Sequence, residues 1–503
     1  MGEIVRLVIS GFISALSLTN VIAMTGGTLL GIVIGALPGL SATTGMALLL
    51  PLTFGMSIDA GLLMLAGVFC GAVYGGSISA ILVGIPGTAA SIPTAFDGFP
   101  MARAGKAREA MLYSLYASGI GGLASALVLI TLTPVIAIWA LRFGPPEMFA
   151  LTLWGISMVS SVVGKDAIKG LIMAVVGLVV STVGADPVNG YIRLTFGNYY
   201  FIGGIDFVPL ILGALALPRV LEMIEDLRTR NVFYAESTSR KWYLAPGEIL
   251  RYWGTIVKSS IIGIIIGIAP AAGPSMAAYM SYNEAKRSSA HPERFGSGEP
   301  DGLVASETGN NAATGGDLVL TLALGIPGSA AAAVLLGALI MKGIQPGPHL
   351  MHKNPQIVYT FFAGFFLVNI LFFLLGHLVV QVGHYIVRTP LQVLAPTILV
   401  ICVVGAYSSA NSMMNVAVMV ITGVIAYCLG KAGFPMAPFL LALILGPIME
   451  ASYWTSLLIA YGDVLVFFKR PLSVAFMVLA VVTLLAPCYG TIRQRLGRIG
   501  KPA

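Results

Sequence analysis

Two stretches of the chain place polar, backbone-permissive residues inside apolar sequence. One reads Tyr74-Gly75-Gly76-Ser77-Ile78-Ser79, then Gly84-Ile85-Pro86-Gly87-Thr88. The other reads Glu307-Thr308-Gly309-Asn310-Asn311-Ala312-Ala313-Thr314-Gly315-Gly316-Asp317, then Gly325-Ile326-Pro327-Gly328-Ser329. Glycine lets a backbone turn with positive φ or approach a ligand closely. Proline lacks an N–H and so frees a carbonyl. Freed carbonyls with Ser, Thr and Asn oxygens suit a hard monovalent cation, and a helix N-terminus at the same break attracts a carboxylate. Tight helix packing through small residues is the plainer alternative for the Gly, Ser and Thr content alone, and the lesser one.

A second pair of breaks strengthens the ligand reading. Pro38-Gly39-Leu40-Ser41-Ala42-Thr43-Thr44-Gly45 and Pro270-Ala271-Ala272-Gly273-Pro274-Ser275 each interrupt an apolar run. In lipid, irregular backbone is tolerated only where it faces protein or a wet cavity. The flanking arms are about ten residues each, ~15 Å of helix, half of the ~30 Å hydrocarbon core. That length suits a re-entrant hairpin with its tip near the midplane; a Pro-kinked spanning helix is the plainer alternative. The expected breaks are Pro38, Gly39, Pro86, Gly87, Pro270, Gly273, Pro327 and Gly328. The expected substrate and ion contacts are Ser41, Thr43, Thr44, Ser77, Ser79 and Thr88 in one half, and Ser275, Asn310, Asn311, Thr314 and Ser329 in the other. No Lys or Arg lies inside these motifs. An anion there must rely on helix N-termini, amides and a co-bound cation, with Arg103 or Lys106 assisting only if their loop folds inward.

Glu307 and Asp317 bracket the second motif. An intramembrane carboxylate is costly and functional by default, so both are candidate coupling carboxylates, although nearness to Asp301 leaves a wet-loop position open for Glu307. His377 and His384 lie on one apolar segment with no Cys or carboxylate nearby, which reads as packing, and no metal site is expected. Cys70, Cys402, Cys428 and Cys488 show no metal or disulfide spacing and read as small hydrophobes. No catalytic constellation, cofactor motif, G-x-x-x-x-G-K-[ST] loop or G-x-S-x-G elbow is present, so the chain reads as no enzyme and no ATP-driven pump.

These motifs need elements to hold them. The 503 residues are 57% hydrophobic and 10% charged, with a mean hydropathy of +0.91. A soluble protein carries about 25% charged residues, so this chain cannot cover a water-exposed surface of its size. It reads as an all-α polytopic membrane protein with about 11 to 14 membrane segments. The net charge of +7 sits in short loops, where it signals topology rather than nucleic-acid binding. Three basic clusters read as cytoplasmic: Arg103, Lys106 and Arg108; the 219–258 connection with Arg228, Arg230, Arg240, Lys241 and Arg251; and the tail with Arg493, Arg495, Arg498 and Lys501. The connection around Met56 to Asp59 has no basic residue and reads as the opposite side. The apolar N-terminal run resembles a signal peptide but is expected to stay as a first helix.

Internal repetition organises the whole. Gly31-Ile32-Val33-Ile34-Gly35 recurs as Gly263-Ile264-Ile265-Ile266-Gly267, and Gly84-Ile85-Pro86-Gly87 recurs as Gly325-Ile326-Pro327-Gly328, in the same order. Fainter echoes pair 177–184 with 423–430 and Leu212-Gly213 with Leu445-Gly446. The expected organisation is a first membrane repeat over 1–230, a basic cytoplasmic linker over 231–254 and a second membrane repeat over 255–503, the two repeats inverted with respect to each other.

At these motifs the chain resembles the large membrane subunit of the tripartite tricarboxylate transporter family, the TctA-like proteins. The carrying residues are Leu37-Pro38-Gly39-Leu40, Leu50-Pro51-Leu52-Thr53-Phe54, Tyr74-Gly75-Gly76-Ser77, Gly84-Ile85-Pro86-Gly87 and Asp97-Gly98-Phe99-Pro100-Met101-Ala102-Arg103, then Glu307, Asn310-Asn311-Ala312 and Leu324-Gly325-Ile326-Pro327-Gly328. Pro270-Ala271-Ala272 departs from the Pro-Gly-Leu of the first half. The resemblance implies a secondary transporter of the bacterial inner membrane. It would import a small carboxylate (a di- or tricarboxylate or an aromatic acid) delivered by a periplasmic solute-binding protein and driven by a Na⁺ or H⁺ gradient. A small membrane subunit of about four helices would accompany it. A channel for small anions with a Gly-rich filter, a non-transporting membrane scaffold and an intramembrane enzyme are the other classes the residues leave open.

Overall fold

The computed structural model describes residues 2–162, 167–186, 188–226, 241–270 and 272–499. Arg228, Arg230, Arg240, Ala271 and Lys501 lie outside these, as does the 231–240 part of the expected linker. The chain is helical almost throughout. Among the described residues the only strands are a two-residue pair, Gly184–Ala185 with Ile192–Arg193. Among the described residues, eight helices are long and apolar enough to cross a bilayer, and five shorter apolar helices of 10–17 residues accompany them. Large apolar side chains face outward in rows, as with Val420, Ile421, Val424 and Ile425 on the Met413–Lys431 helix. Water would not tolerate such a surface; hydrocarbon does.

Two compact units form, each from two pieces of the chain: 1–137 with 208–427, and 138–207 with 428–503. In the larger unit the first piece holds α1 (Gly2–Ala15), α2 (Leu18–Ala36), α3 (Ala42–Leu49), α4 (Ile58–Val83), α5 (Ile92–Met101) and α6 (Ala107–Ala140, leaving the unit at its end). The second piece holds α7 (Trp253–Ile268), α8 (Gly273–Ser288), α9 (Pro300–Leu324), α10 (Ala330–Met341) and α11 (Pro355–Val387).

The Gly repeats act as helix seams. A Cβ on Gly27 or Gly35 of α2 would stand 2.2 Å from the Met64 or Ala72 carbonyl oxygen of α4. A Cβ on Gly263 or Gly267 of α7 would stand 2.4 Å from the Gly309 or Ala313 carbonyl oxygen of α9. So α2 lies on α4 as α7 lies on α9, backbone against backbone, the packing that small residues permit in lipid. The matched helices α4 and α9 have 26 and 25 residues, and each ends on a left-handed glycine, Gly84 (φ 73°) and Gly325 (φ 74°).

At both expected breaks the helix is interrupted and a second helix follows, with arms that differ from the ten residues expected. The first has arms of 19 and 8 residues, α2 and α3, and the second of 16 and 16, α7 and α8. Apolar runs misjudge these lengths because packing sets them. Gly26 and Gly27 do not end α2, since α4 supports that stretch, whereas Pro51 begins a 3₁₀ turn that stops α3. Helix α8 continues through the polar Ser281 to Arg287. Lys258 near the start of α7 and Arg287 at the end of α8 line one groove, so the ends of the second hairpin lie side by side.

Two of the three basic clusters meet. Lys241 pairs with Glu248 at 2.7 Å and approaches Glu109 at 4.0 Å, which brings the connection before α7 to the turn between α5 and α6. That turn reverses at Gly105 (φ 80°), with Arg103 and Lys106 exposed. Away from them, the Lys342 ammonium donates to the Phe54 and Met56 carbonyls at 3.2 and 2.8 Å.

In the smaller unit the Pro145–Val162 helix packs on Pro471–Ile499, and Ala167–Ser181 on Met436–Ile459. Arg470 reaches Glu147 at 3.3 Å. Arg193 bridges Asp186 at 3.3 Å and Glu450 at 2.5 Å beside the strand pair. The Asn189 and Val188 N–H groups, with Arg193 beyond them, hold the Asp186 carboxyl below the usual carboxylate range.

Candidate functional site

The polar stretches 74–79 and 307–317 are uninterrupted helix, the interiors of α4 and α9. Their glycines are seams rather than breaks: Gly75 would meet the Ile32 carbonyl, Gly76 the Thr88 side chain and Gly309 the Ser281 side chain. The backbone breaks are the loops that follow, Gly84–Thr88 and Gly325–Ser329, together with the stretch 37–41 after α2 and the residues Ala269 and Pro270 after α7. Each loop is pressed onto the end of its own hairpin arm. A Cβ on Gly87 would lie 2.0 Å from the Gly35 carbonyl oxygen, and one on Gly328 would lie 2.8 Å from that of Gly267. The second arms exchange: α3 packs on α10, which follows Ser329, and α8 packs on the 3₁₀ turn Ala89–Ser91, which follows Thr88. Residues 42–49, 89–91, 273–288 and 330–341 are thereby brought together within the larger unit.

Glu307 is fully buried inside α9, which removes the wet-loop position. Its Oε1 accepts from Ser77 Oγ at 2.6 Å and from Thr94 Oγ1, and its Oε2 accepts from Ser114 Oγ at 3.1 Å and Ser118 Oγ at 2.9 Å. An ionised carboxylate offers about four lone-pair sites, and here four hydroxyls from α4, α5 and α6 fill them. Ser118 is in turn held by Asn311 Nδ2 at 2.8 Å, and the same amide donates to the Glu307 carbonyl at 3.2 Å. Thr94, Ser114 and Ser118 were not among the expected site residues. Ser114 and Ser118 are four apart on an apolar helix, a same-face pair that the sequence does display.

The other expected residues divide by what they already touch. Ser41 caps α3, accepting from the Thr44 N–H at 3.1 Å and lying 2.9 Å from Thr44 Oγ1, while Thr43 is part-exposed. Ser79 donates to the Gly76 carbonyl at 3.2 Å, and Thr314 to the Asn311 carbonyl at 2.7 Å. Thr88 and Ser91 bind each other at the loop end. Ser275 is part-exposed near the start of α8. Ser329 caps α10 by accepting from the Ala332 N–H at 3.2 Å and donates to Asp317 Oδ2. Asp317 Oδ1, Asn311 Oδ1 and both side-chain atoms of Asn310 are buried without a partner. Asn310 is therefore the amide with its whole hydrogen-bonding capacity uncommitted. Arg103 lies over the Phe99 ring at 6.0 Å and stays exposed, so its loop does not fold inward.

His377 Nδ1 meets the Phe373 carbonyl at 2.9 Å and its ring packs edge-on to Tyr116 and Phe373, a packing role. Cys70 and Cys402 are buried and Cys428 is exposed, all as free thiols.

Asp97, one turn beyond Thr94, ties the two halves outside this centre. Its Oδ1 accepts from the Gly296, Gly298 and Glu299 N–H groups at 2.8, 2.9 and 2.8 Å, and its Oδ2 accepts from Tyr282 Oη at 2.9 Å. A carboxylate is the natural filler of such a ring of N–H groups. The polar 289–299 insertion is thus fixed to α5 through one side chain. Asp97→Ala strips three backbone donors of their acceptor, and the loop should open. Limited trypsinolysis at Arg294 is expected to run at least tenfold faster than in the wild type; an unchanged rate would show that the loop is held by other contacts.

Comparison with known proteins agrees with this arrangement of motifs. The family model described as "Tripartite tricarboxylate transporter TctA family" matches residues 21–441. A relative from Agrobacterium vitis, described as an uncharacterized 52.8 kDa protein in the TAR-I ttuC' 3' region, is 33% identical over 489 residues, 97% of each chain. A second from the same organism, an uncharacterized protein in the TAR-II ttuC' 3' region, is 29% identical over 237 residues, 47% of this chain and 98% of its own. No solved structure matches the chain significantly. With both hairpins, both Gly-Ile-Pro-Gly loops and the Glu307 centre inside the matched span, the chain belongs to the tripartite tricarboxylate transporter TctA family, as a multi-pass membrane subunit of a transporter that works with other subunits.

Proposed function

We propose that the protein is a secondary active transporter of the bacterial inner membrane that imports a small carboxylate, a di- or tricarboxylate or an aromatic acid. A periplasmic solute-binding protein supplies the substrate, a small membrane subunit of about four helices accompanies the chain, and a Na⁺ or H⁺ gradient drives uptake. The two halves act as inverted repeats around one site. The observation that carries this reading is the buried Asn310 amide, unpartnered on both atoms, in the same unit as two matched backbone breaks. Secondary transporters build midplane sites from paired discontinuous helices, with helix N-termini facing anionic groups and freed carbonyls facing the cation. The anion is met here by the N-termini of α8 and α10 and by Asn310, since no Lys or Arg lies in the motifs. The test is uptake into proteoliposomes carrying both membrane subunits, with the binding protein outside, a panel of labelled carboxylates, and Na⁺ and pH gradients imposed separately. One carboxylate class should enter under one of the gradients. Entry under ATP alone, or of none of the panel, would overturn the reading.

The topology has its own check. Single cysteines at Ser57, before α4, and Ser288, at the end of α8, should label from opposite sides of right-side-out vesicles. Labelling of both from one side would contradict inversion.

A further inference from the structure

We infer that Asp317, the Ser329 hydroxyl and the Gly267 carbonyl form a binding site for a hard monovalent cation of the sodium class, and that Glu307 does not. The inference deepens the transport reading above and rests on it only for the ion's role. Helix α9 carries both carboxylates, ten residues apart, about 15 Å along its axis. Their surroundings differ. Glu307 has both oxygens occupied by hydroxyl donors from three neighbouring helices. Asp317 is as deeply buried, yet less completely met: the Ser329 hydroxyl donates to Oδ2 and the Gly328 and Ser329 N–H groups lean toward the carboxylate, while Oδ1 has no well-formed hydrogen bond. A buried carboxylate with an oxygen left unsatisfied is disfavoured as an anion unless a cation completes it or a proton neutralises it, and the two differ in whether Na⁺ or pH governs the site.

Oxygen ligands for that cation converge at Gly328. A Cβ on Gly328 would be 2.7 Å from Asp317 Oδ1 and 2.8 Å from the Gly267 carbonyl oxygen, so both oxygens crowd the Gly328 backbone and lie no further from each other than the sum of those two distances. Gly267 lies in the last turn of α7, and the carbonyl end of a helix carries partial negative charge. Ser329 adds a hydroxyl from the start of α10. A carboxylate, a carbonyl and a hydroxyl around a glycine with no side chain form an all-oxygen set of the kind a hard cation takes. The first half repeats the scaffold without the charge. There Gly87 faces the Gly35 carbonyl, and Thr88 stands against Gly76 where Ser329 stands against Asp317. The charged site is therefore single.

The position also couples the cation to an anion. Gly273 at the start of α8 would meet Ser329 through a Cβ at 3.1 Å, so the N-termini of α8 and α10 adjoin Asp317. The bare Asp317 charge repels a carboxylate from those N-termini; a cation bound to it cancels that repulsion. Cation and carboxylate thus bind cooperatively, each raising the other's affinity by the same factor.

The test uses the purified full chain in detergent, without carboxylate or partner subunits, following its thermal unfolding as NaCl replaces choline chloride at constant ionic strength and pH. A ligand bound by the folded state alone raises the Tm with its concentration. The wild type should show a saturable upward shift in Tm. Asp317→Asn should abolish it, and Ser329→Ala, which removes one neutral ligand and also the α10 cap and so starts from a lower Na⁺-free Tm, should raise the half-saturating Na⁺ about tenfold, the ~1.4 kcal/mol of one hydrogen-bond-scale contact. His377→Ala, a packing residue remote in role, should keep the wild-type response. A Na⁺ shift unchanged in both Asp317→Asn and Ser329→Ala overturns the site. So does a wild-type Tm that follows pH but not Na⁺. Because no transport is measured, a lost Na⁺ shift in Asp317→Asn stands even if carboxylate uptake fails, and intact gradient-driven uptake stands even if the Na⁺ response ignores Asp317.

Discussion

Asn310→Ala should reduce carboxylate transport by one to two orders of magnitude while leaving the thermal stability of the protein unchanged. Asn310 is fully buried, and neither atom of its amide has a partner within the protein. Its removal breaks no internal hydrogen bond, so the fold loses little. If the amide serves a charged ligand, its loss costs about 1.5–3 kcal/mol of binding. Asn311→Ala provides the contrast. That amide holds Ser118 and the Glu307 carbonyl, so its removal should lower the Tm as well as transport. Uptake and differential scanning fluorimetry on the two variants separate the roles. Equal losses of stability in both, or wild-type uptake by Asn310→Ala, would place the substrate elsewhere.

Glu307→Gln should be the most destabilising of the isosteric changes in this centre. The substitution replaces one acceptor oxygen by an NH₂ group that faces hydroxyls already donating. Either Ser77 and Thr94 or Ser114 and Ser118 must reverse. Two hydrogen bonds to a charged group are lost, at about 1.5–3 kcal/mol each, partly offset where a hydroxyl turns to accept. A net loss of about 2–4 kcal/mol is expected, read as a lowered Tm and reduced yield of folded protein. Because the four hydroxyls come from α4, α5 and α6, the change loosens the contact between the two halves. An unchanged Tm would mean that Glu307 is neutral in the folded protein and that the hydroxyl cage is not built for its charge.

The doubled Gly-Ile-Val/Ile-Ile-Gly and Gly-Ile-Pro-Gly runs are legible in the sequence because their physics is local. A left-handed cap needs glycine at Gly84 and Gly325, and a backbone seam needs glycine every fourth residue. Membrane character is legible from composition for the same reason. The Glu307 cage is not legible, since Ser77, Thr94, Ser114 and Ser118 lie 230, 213, 193 and 189 residues away along the chain. Only the Ser114–Ser118 spacing hints at a shared face. The Asp97 clasp is hidden further, because three of its partners are backbone N–H groups of a loop whose side chains have no part in it. Asn310 and Asn311 look equivalent as letters. One residue of helix turns them about 100° apart, and they meet different surroundings. Helix arms of 19 and 8 residues, where apolar runs suggest ten and ten, show the same limit: support from α4 and a stop at Pro51 set those lengths.

The claim that the protein is a gradient-driven carboxylate transporter is tested most directly by the final level of substrate, rather than by its rate of entry. Proteoliposomes with both membrane subunits and binding protein outside should accumulate labelled carboxylate above its external concentration while an inward Na⁺ or H⁺ gradient lasts. The accumulated label should drain back to the external level when an ionophore removes that gradient. Entry that only equalises the two sides, whatever gradient is imposed, would contradict secondary active transport and leave the Gly-rich breaks as the lining of a channel.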